Sequence, residues 1–303
     1  MKTQKVGTRG VLFTFEEPYR TNVFFIDGER HVFVCDTFLG SEPAEKIKQY
    51  IAEKKIGAKP VIVFNSHGDY DHYWGNGSFR SSIILGHELC GKKIEKEATQ
   101  DLKDFQNHKL GNVEIVPPNV TFNEKVFFVE EGVEFYFTPG HTEDSCSCFD
   151  HIDRTLFVGD NVESPIPHIN ELNVTAYIST LEEYLERRAK TIVAGHDGIM
   201  LDDRLVRSNM EYLRRFEALE ADPAKFDKKG KIVHFWNLSN ISEKLREKGM
   251  LKKALKRYEE SKCVLDQLDD STQGKQEQMK RIQERIDIIS EENAKKPWAS
   301  HKC

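Results

Sequence analysis

Four strand-like runs in this chain each lead into a histidine or an aspartate, and that arrangement limits the fold more than any other feature. The run VIVFN (61–65) opens onto S-H-G-D-Y-D-H-Y-W-G-N (66–76), which sets His67, Asp69, Asp71 and His72 within six residues. His141 stands in a Pro-Gly-His-Thr turn after VEFYFT (133–138), Asp160 ends TLFVGD (155–160), and His196 follows TIVAG (191–195). Imidazole and carboxylate are the groups that hold zinc, iron or manganese. Loops at strand ends can aim such side chains into one pocket. Seven candidate ligands at four strand ends converge only if those ends share one edge of the sheet. Gly140, Gly159 and Gly195 each immediately precede a candidate ligand, where glycine suits a tight backbone turn.

Further runs rich in Val, Ile and Phe, at 11–15, 22–26, 31–36, 82–86 and 125–129, read as strands. The stretches 42–55 and 181–190 read as amphipathic helices, and 205–220 as a further helix closing this part. Strands interleaved with helices predict a layered α/β architecture. The polar stretch 221–231, with Pro223 and Gly230, reads as a linker. It divides the chain into a metal-binding domain over 1–222 and a helical appendage over 232–303. Within the appendage, 237–268 reads as two short helices broken at Gly249. A third, 275–291, carries Met279, Ile282, Ile286 and Ile289 on one stripe.

Composition narrows the function classes. Lys plus Arg is 44 and Asp plus Glu is 50, a net charge of −6, so nothing in the overall charge points to nucleic acid. No run approaches the roughly 20 apolar residues that span a bilayer, which argues against a membrane partner. The N-terminus lacks the apolar stretch of a secretory signal, so the cytoplasm is the expected location. There Cys35, Cys90, Cys146, Cys148, Cys263 and Cys303 read as free thiols. Cys146 and Cys148 alternate along one strand and read as buried packing.

With these motifs in view, the chain resembles the metallo-β-lactamase superfamily over about residues 8–215. That family carries H-x-H-x-D-H, then a His in a P-G-H-T turn, an Asp after a strand, and a late G-H. Here His67 to His72, His141, Asp160 and His196 keep that order. Trp74-Gly75-Asn76 and Asp36 also look like the family. The resemblance implies an αββα sandwich followed by the small all-helical appendage. It implies two divalent metal ions, one taking His67, Asp69 and His141, the other Asp71, His72 and His196, with Asp160 bridging. Zinc leads as the metal. Asp69 departs from the family, which has a second His there, and two histidines with one carboxylate keep iron or manganese open.

The implied activity is that of a hydrolase using a metal-bound hydroxide, since a metal pair lowers the pKa of water toward ~7. Asp71 would orient that nucleophile and relay its proton. The substrate would be a small-molecule ester, thioester, lactone, lactam or phosphoester. The alternatives are a non-haem iron protein handling oxygen or nitric oxide, and a binding protein with a vestigial metal site. Glu163, Tyr70 and Tyr73 are candidates for the pocket wall, and His168 for a loop bordering it. His87 reads as packing near a helix start. Residues 238–268 weakly resemble one tetratricopeptide repeat, through Gly249, Ala254 and Tyr258, although an ordinary helical hairpin is the preferred reading. Between Pro223 and Lys262 stand 12 Lys or Arg against 5 Asp or Glu, which suits a solvated face. The C-terminal helices offer a contact for a second copy or a protein partner.

Overall fold

The structure, a computed structural model, describes residues 1–54, 59–269 and 271–295. Lys55, at the end of the first expected helix, and Cys303 lie outside them. The described chain forms two compact units, one of Met1–Ser164 with Thr175–Met210, the other of Pro165–Val174 with Glu211 onward.

In the first unit a seven-stranded sheet runs in chain order. Its strands are β1 (Lys2–Val6), β2 (Gly10–Phe15), β3 (Thr21–Asp27), β4 (Val32–Cys35), β5 (Val61–Phe64), β6 (Ile83–His87) and β7 (Val120–Phe122). β1 to β4 pair antiparallel, and β4 to β7 pair parallel. The parallel connections need crossovers. α1 (Ser41–Glu53) crosses from β4 to β5, and the one-turn α2 (Tyr70–Tyr73) follows β5. α3 (Glu88–Asp104) crosses from β6 to β7. The second sheet holds β8 (Lys125–Phe128), β9 (Val133–Phe137), β10 (Cys146–Asp150), β11 (Thr155–Phe157) and β12 (Thr191–Val193), with only β11 and β12 parallel. α4 (Val174–Glu186) crosses between those two.

At β3, β4 and β5 both faces of the first sheet are covered, as these unbroken apolar strands require. On β3 and β4, Val23, Phe25, Val32 and Val34 face the helical side with Ala44, Ile47, Cys90 and Ile94. Their alternates Phe24, Ile26, Phe33 and Cys35 meet Phe135, Cys146, Cys148 and Phe157 of the second sheet. Phe24 and Phe33 are fully buried, so truncating either to alanine costs about 3–5 kcal/mol. On the outer side of the second sheet, the α4 residue Tyr184 donates or accepts at Ser147 Oγ, 2.5 Å away. The layers are therefore helix, sheet, sheet, helix.

Several elements depart from the expected ones. α4 starts at Val174 rather than 181, because Val174, Tyr177, Leu181 and Tyr184 make one buried stripe at helical spacing. β1 and β7 had no counterpart among the expected elements, and of α3 only its start, near His87, was expected. β1 is polar and exposed, and β7 is three residues long. α5 (Arg204–Ala218) forms as expected, but the units part within it, near Glu211.

The second unit holds α6 (Lys228–Glu247), α7 (Leu251–Asp266) and α8 (Lys275–Lys295). α6 claims the end of the expected linker, because Asp227 caps it by accepting from Gly230 N at 2.7 Å. Its buried Val233, Leu238, Ile241 and Leu245 carry it onward as one helix. Gly249 separates α6 from α7 at φ 71°, a conformation glycine adopts freely. Ala254 and Tyr258 on α7 are buried, as are Ile282 and Ile289 on α8. Tyr212, in the distal half of α5, bonds His234 Nδ1 at 2.8 Å and accepts from Asn237 at 2.9 Å. Residues 165–174 belong here too, since Asn237 bonds both Pro167 O and Ile169 N at 2.8 Å. His168 lies in that segment.

Candidate metal centre

The parallel pairing of β4 with β5, and of β11 with β12, brings their C-terminal ends to one edge of the two sheets. Backbone bonds knit that edge together. Cys146 N donates to Ser66 O, and Asn22 N to Gly195 O, each at 2.7 Å. Asp36, just past β4, takes φ 65°, a conformation rare outside glycine. It is fully buried and held there by its own acceptors' partners. Its Oδ1 accepts from Ser66 N at 2.7 Å, and its Oδ2 accepts from Ser66 Oγ at 2.8 Å and His72 Nδ1 at 2.7 Å.

These bonds fix the histidine tautomers. Ser66 spends its one hydroxyl proton on Asp36, so it must accept from His67 Nδ1, 2.9 Å away. His72 Nδ1 donates to Asp36 in the same way. His196 Nδ1 lies 2.7 Å from Arg20 O, a carbonyl that can only accept. All three rings therefore keep a proton on Nδ1 and turn Nε2 inward, the orientation of a metal-bound imidazole. His141 is set by its backbone, whose N–H donates to Asn161 Oδ1 at 2.8 Å.

The inward atoms form three overlapping groups, His67/Asp69/His141, His67/His72/Asp160 and Asp71/His72/His196, each with its ligand atoms within 4.8 Å of one another. Asp69 Oδ2 stands 3.4 Å from both His67 Nε2 and His141 Nε2. Asp160 Oδ2 is central, 3.0 Å from His196 Nε2, 3.3 Å from His72 Nε2 and 3.9 Å from His67 Nε2. Asp71 Oδ2 lies 3.4 Å from His196 Nε2. All seven residues expected from the sequence thus meet at one place. The glycines before them serve different ends. Gly159 takes φ 52°, whereas Gly195 leaves room, since a Cβ there would fall 2.1 Å from Asp160 Oδ1.

The donor set fits divalent metal. His67 Nε2, His72 Nε2 and Asp160 Oδ1 are buried without a hydrogen-bond partner, a costly arrangement unless a cation is to be bound. Burial opposes ionisation of Asp160, but His196 and His72 hold its carboxyl well below the usual range. Burial likewise opposes charge on His141 and His196, yet the surrounding carboxylates push them up to about 9 and about 10. Protons fill the negative well when no ion does.

One group at this site had no sequence signal. Lys93, on α3, donates to Asp69 Oδ1 and lies 4.0 Å from Asp144 Oδ1. Burial opposes ionisation of Asp69, and Lys93 with His67 overcomes it, leaving its carboxyl well below the ordinary range. Around the second group, Tyr19 donates to Tyr70 OH at 2.8 Å, and Tyr70 OH lies 2.9 Å from His108 Nδ1. Tyr70 also stacks on Phe105 at 4.0 Å. Tyr73 is fully buried in the helical-side core rather than at a wall. Glu163 Oε2 lies 3.8 Å from His141 Nδ1. His87 caps α3 by accepting from Leu89 N at 3.2 Å and stacks on Phe137. Cys146 and Cys148 are buried, and all five described cysteines are free.

Comparison with known proteins agrees with this architecture. The family model described as the metallo-beta-lactamase superfamily matches residues 17–196. Curated relatives include an N-acyl homoserine lactonase of Bacillus cereus, 27% identical over 162 residues, with 48% of this chain and 60% of that protein covered. One from Bacillus thuringiensis is 26% identical over the same coverage. The chain thus spans 60% of the length of these relatives. Among solved structures, TMB-1 superposes with a TM-score of 0.57 at 16% identity, covering 71% of this chain and 98% of that one. A metallo-beta-lactamase from Pontibacter korlensis gives 0.54 at 19%, covering 70% and 98%.

Proposed function

This chain belongs to the metallo-beta-lactamase superfamily, and we propose that it is a hydrolase working through two divalent metal ions. His67, Asp69 and His141 hold one ion, Asp71, His72 and His196 the other, and Asp160 is shared. The observation that supports this reading best is the tautomer lock. His67, His72 and His196 each have Nδ1 committed to an acceptor, so three Nε2 atoms face a cluster of carboxylates. Nitrogen lone pairs and carboxylates repel one another unless a proton or a metal cation lies between them, and a metal ion takes the place of those protons when it binds.

Bound ions supply Lewis acidity and a water activated near neutral pH. The chain's own groups do the rest. Asp71, whose Oδ2 faces His196, orients the attacking water and takes up its proton. Asp36 holds the rings of His72 and, through Ser66, His67 against rotation. Tyr19 and Tyr70, tied to each other beside the second group, line the approach to the substrate.

The substrate is a small molecule with an ester, thioester, lactone, lactam or phosphoester centre. Lactones come first, because the curated relatives are named N-acyl homoserine lactonases. The test is a hydrolysis panel with metal-loaded protein. Turnover of a lactone, abolished by a chelator and restored by zinc, is the expected result. A loaded protein that turns over no member of the panel contradicts the hydrolase reading. Two imidazoles and a carboxylate at His67, His141 and Asp69 are also the donor set of non-haem iron, so iron is the second metal to try.

Among the described residues no helix is long and apolar enough to cross a membrane. The five described cysteines are free, four of them buried and Cys263 exposed, which suits a reducing compartment, and we place the protein in the cytoplasm. The helical unit is the part we assign to contact with a second copy or a protein partner, which light scattering of the full chain would reveal.

A further inference from the structure

The carboxylate of Asp69 is divided between two neighbours. Its Oδ1 accepts from the Lys93 ammonium, while its Oδ2 alone lies 3.4 Å from both His67 Nε2 and His141 Nε2. Neither side chain is freely solvated, Lys93 being 21% exposed and Asp69 28%, so their charges are felt more strongly than those of a surface pair. Lys93 stands on a fixed support. α3 is capped by His87 and buries Cys90, Ile94 and Ala98. On its other side Lys93 meets Asp144 Oδ1 at 4.0 Å, and Asp144 Oδ2 is taken by Gly68 N at 2.7 Å.

We propose that Lys93 turns Asp69 into the electrostatic equivalent of a neutral, one-atom ligand. By occupying Oδ1 it leaves Oδ2 as the single donor, as an imidazole nitrogen would be. Its positive charge offsets the carboxylate, so the pair adds no net charge to the His67/His141 group. A cation bonded to a carboxylate also withdraws electron density from it, weakening it as a donor and keeping a bound ion more acidic. The aspartate that replaces a histidine is thus only half of the change, and Lys93 is the other half. This inference rests on reading His67, Asp69 and His141 as a metal site. Lys93 acts through Asp69 and is a positioning residue.

The test is titration of the metal-free full chain with cobalt(II), whose visible absorbance is strong in four-coordinate sites and weak in five- or six-coordinate ones. Wild type is compared with Lys93→Met, with Asp69→His/Lys93→Met, and with Asp69→Ala as the marker for loss of this ion. Lys93→Met is expected to keep its full cobalt content. It should bind the ion that Asp69→Ala loses about tenfold more tightly, since one like charge beside a divalent ion is gone. Its absorbance per ion should fall as Asp69 closes on the ion with both oxygens. The double variant exchanges the pair for an imidazole and leaves the net charge of the group unchanged. It should therefore return to the wild-type absorbance.

An unchanged affinity and spectrum in Lys93→Met overturns the proposal. So does loss of the ion, as in Asp69→Ala, because Lys93 would then be no more than a prop. Should Lys93→Met not fold, the double variant decides alone. Wild-type absorbance there supports the proposal, and loss of the ion refutes it. A wild-type chain that takes up no cobalt overturns the metal-site reading itself, and that failure is recognised because it precedes any substitution.

Discussion

Asp36 Oδ2 lies 2.7 Å from His72 Nδ1, and neither side chain has any exposure to solvent. The same oxygen accepts from Ser66 Oγ, which in turn accepts from His67 Nδ1. One carboxylate, held at a left-handed backbone angle, therefore aims a ring of each of two neighbouring ligand groups. Strained residues persist where the surrounding structure over-determines them, and here the bonds to Ser66 and His72 do so.

Removing Asp36 should consequently weaken metal binding without touching a proposed ligand. Asp36→Ala is expected to lower metal affinity about 10–100-fold, as loss of a partner behind a ligating histidine does. Competition with a chromophoric chelator measures this. It also leaves buried donors unpaired, at about 1–3 kcal/mol each, which urea unfolding of the metal-free chain reads separately. Unaltered affinity would show that the rings are held by something else.

The pH dependence of the metal-free chain follows from His141 and His196. Burial works against their charged forms, but Asp69 and Asp160 outweigh it and raise them from 6.5 to about 9 and about 10. A value raised by folding means that protonation favours the folded state. The contribution is full below pH 6.5 and lost as pH climbs through about 9 and then about 10. Metal-free protein should thus lose stability over that window, while metal-loaded protein should not. A urea midpoint of the metal-free chain that stays level across it contradicts the charge arrangement. Metal uptake at about pH 8 should also release protons, since imidazole must be neutral to bind.

Gly195 offers a steric test. A Cβ there would lie 2.1 Å from Asp160 Oδ1 and 3.0 Å from His72 Cε1, whereas one at Gly198 meets nothing within 4 Å. Gly195→Ala is expected to displace Asp160 and to lose metal and activity. Gly198→Ala should leave both intact. Equal metal content in the two variants would mean that Asp160 is not a ligand.

How far the sequence reached depends on how local each signal was. The ligand residues were legible because histidine and aspartate at strand ends mark themselves. The two-faced sheet was legible because β3, β4 and β5 are apolar on both faces. Of α3 only the start near His87 was legible, since its core face rests on Cys90, Ile94 and Ala98 among Lys and Glu. Lys93 was hidden with it, one of 44 basic residues, joined to Asp69 only by the packing of α3. The affiliation of 165–174 with the helical unit was equally out of reach. It depends on Asn237, some 70 positions along the chain from its partners.

The central claim is that these side chains hold metal. It is tested most directly by metal content, measured on full-length wild type, His67→Ala and His196→Ala after exhaustive dialysis. Roughly two divalent ions per chain are expected in the wild type, with loss in each variant while the circular dichroism spectrum stays unchanged. A folded wild type that retains no metal, or folded variants that keep all of it, contradicts the account.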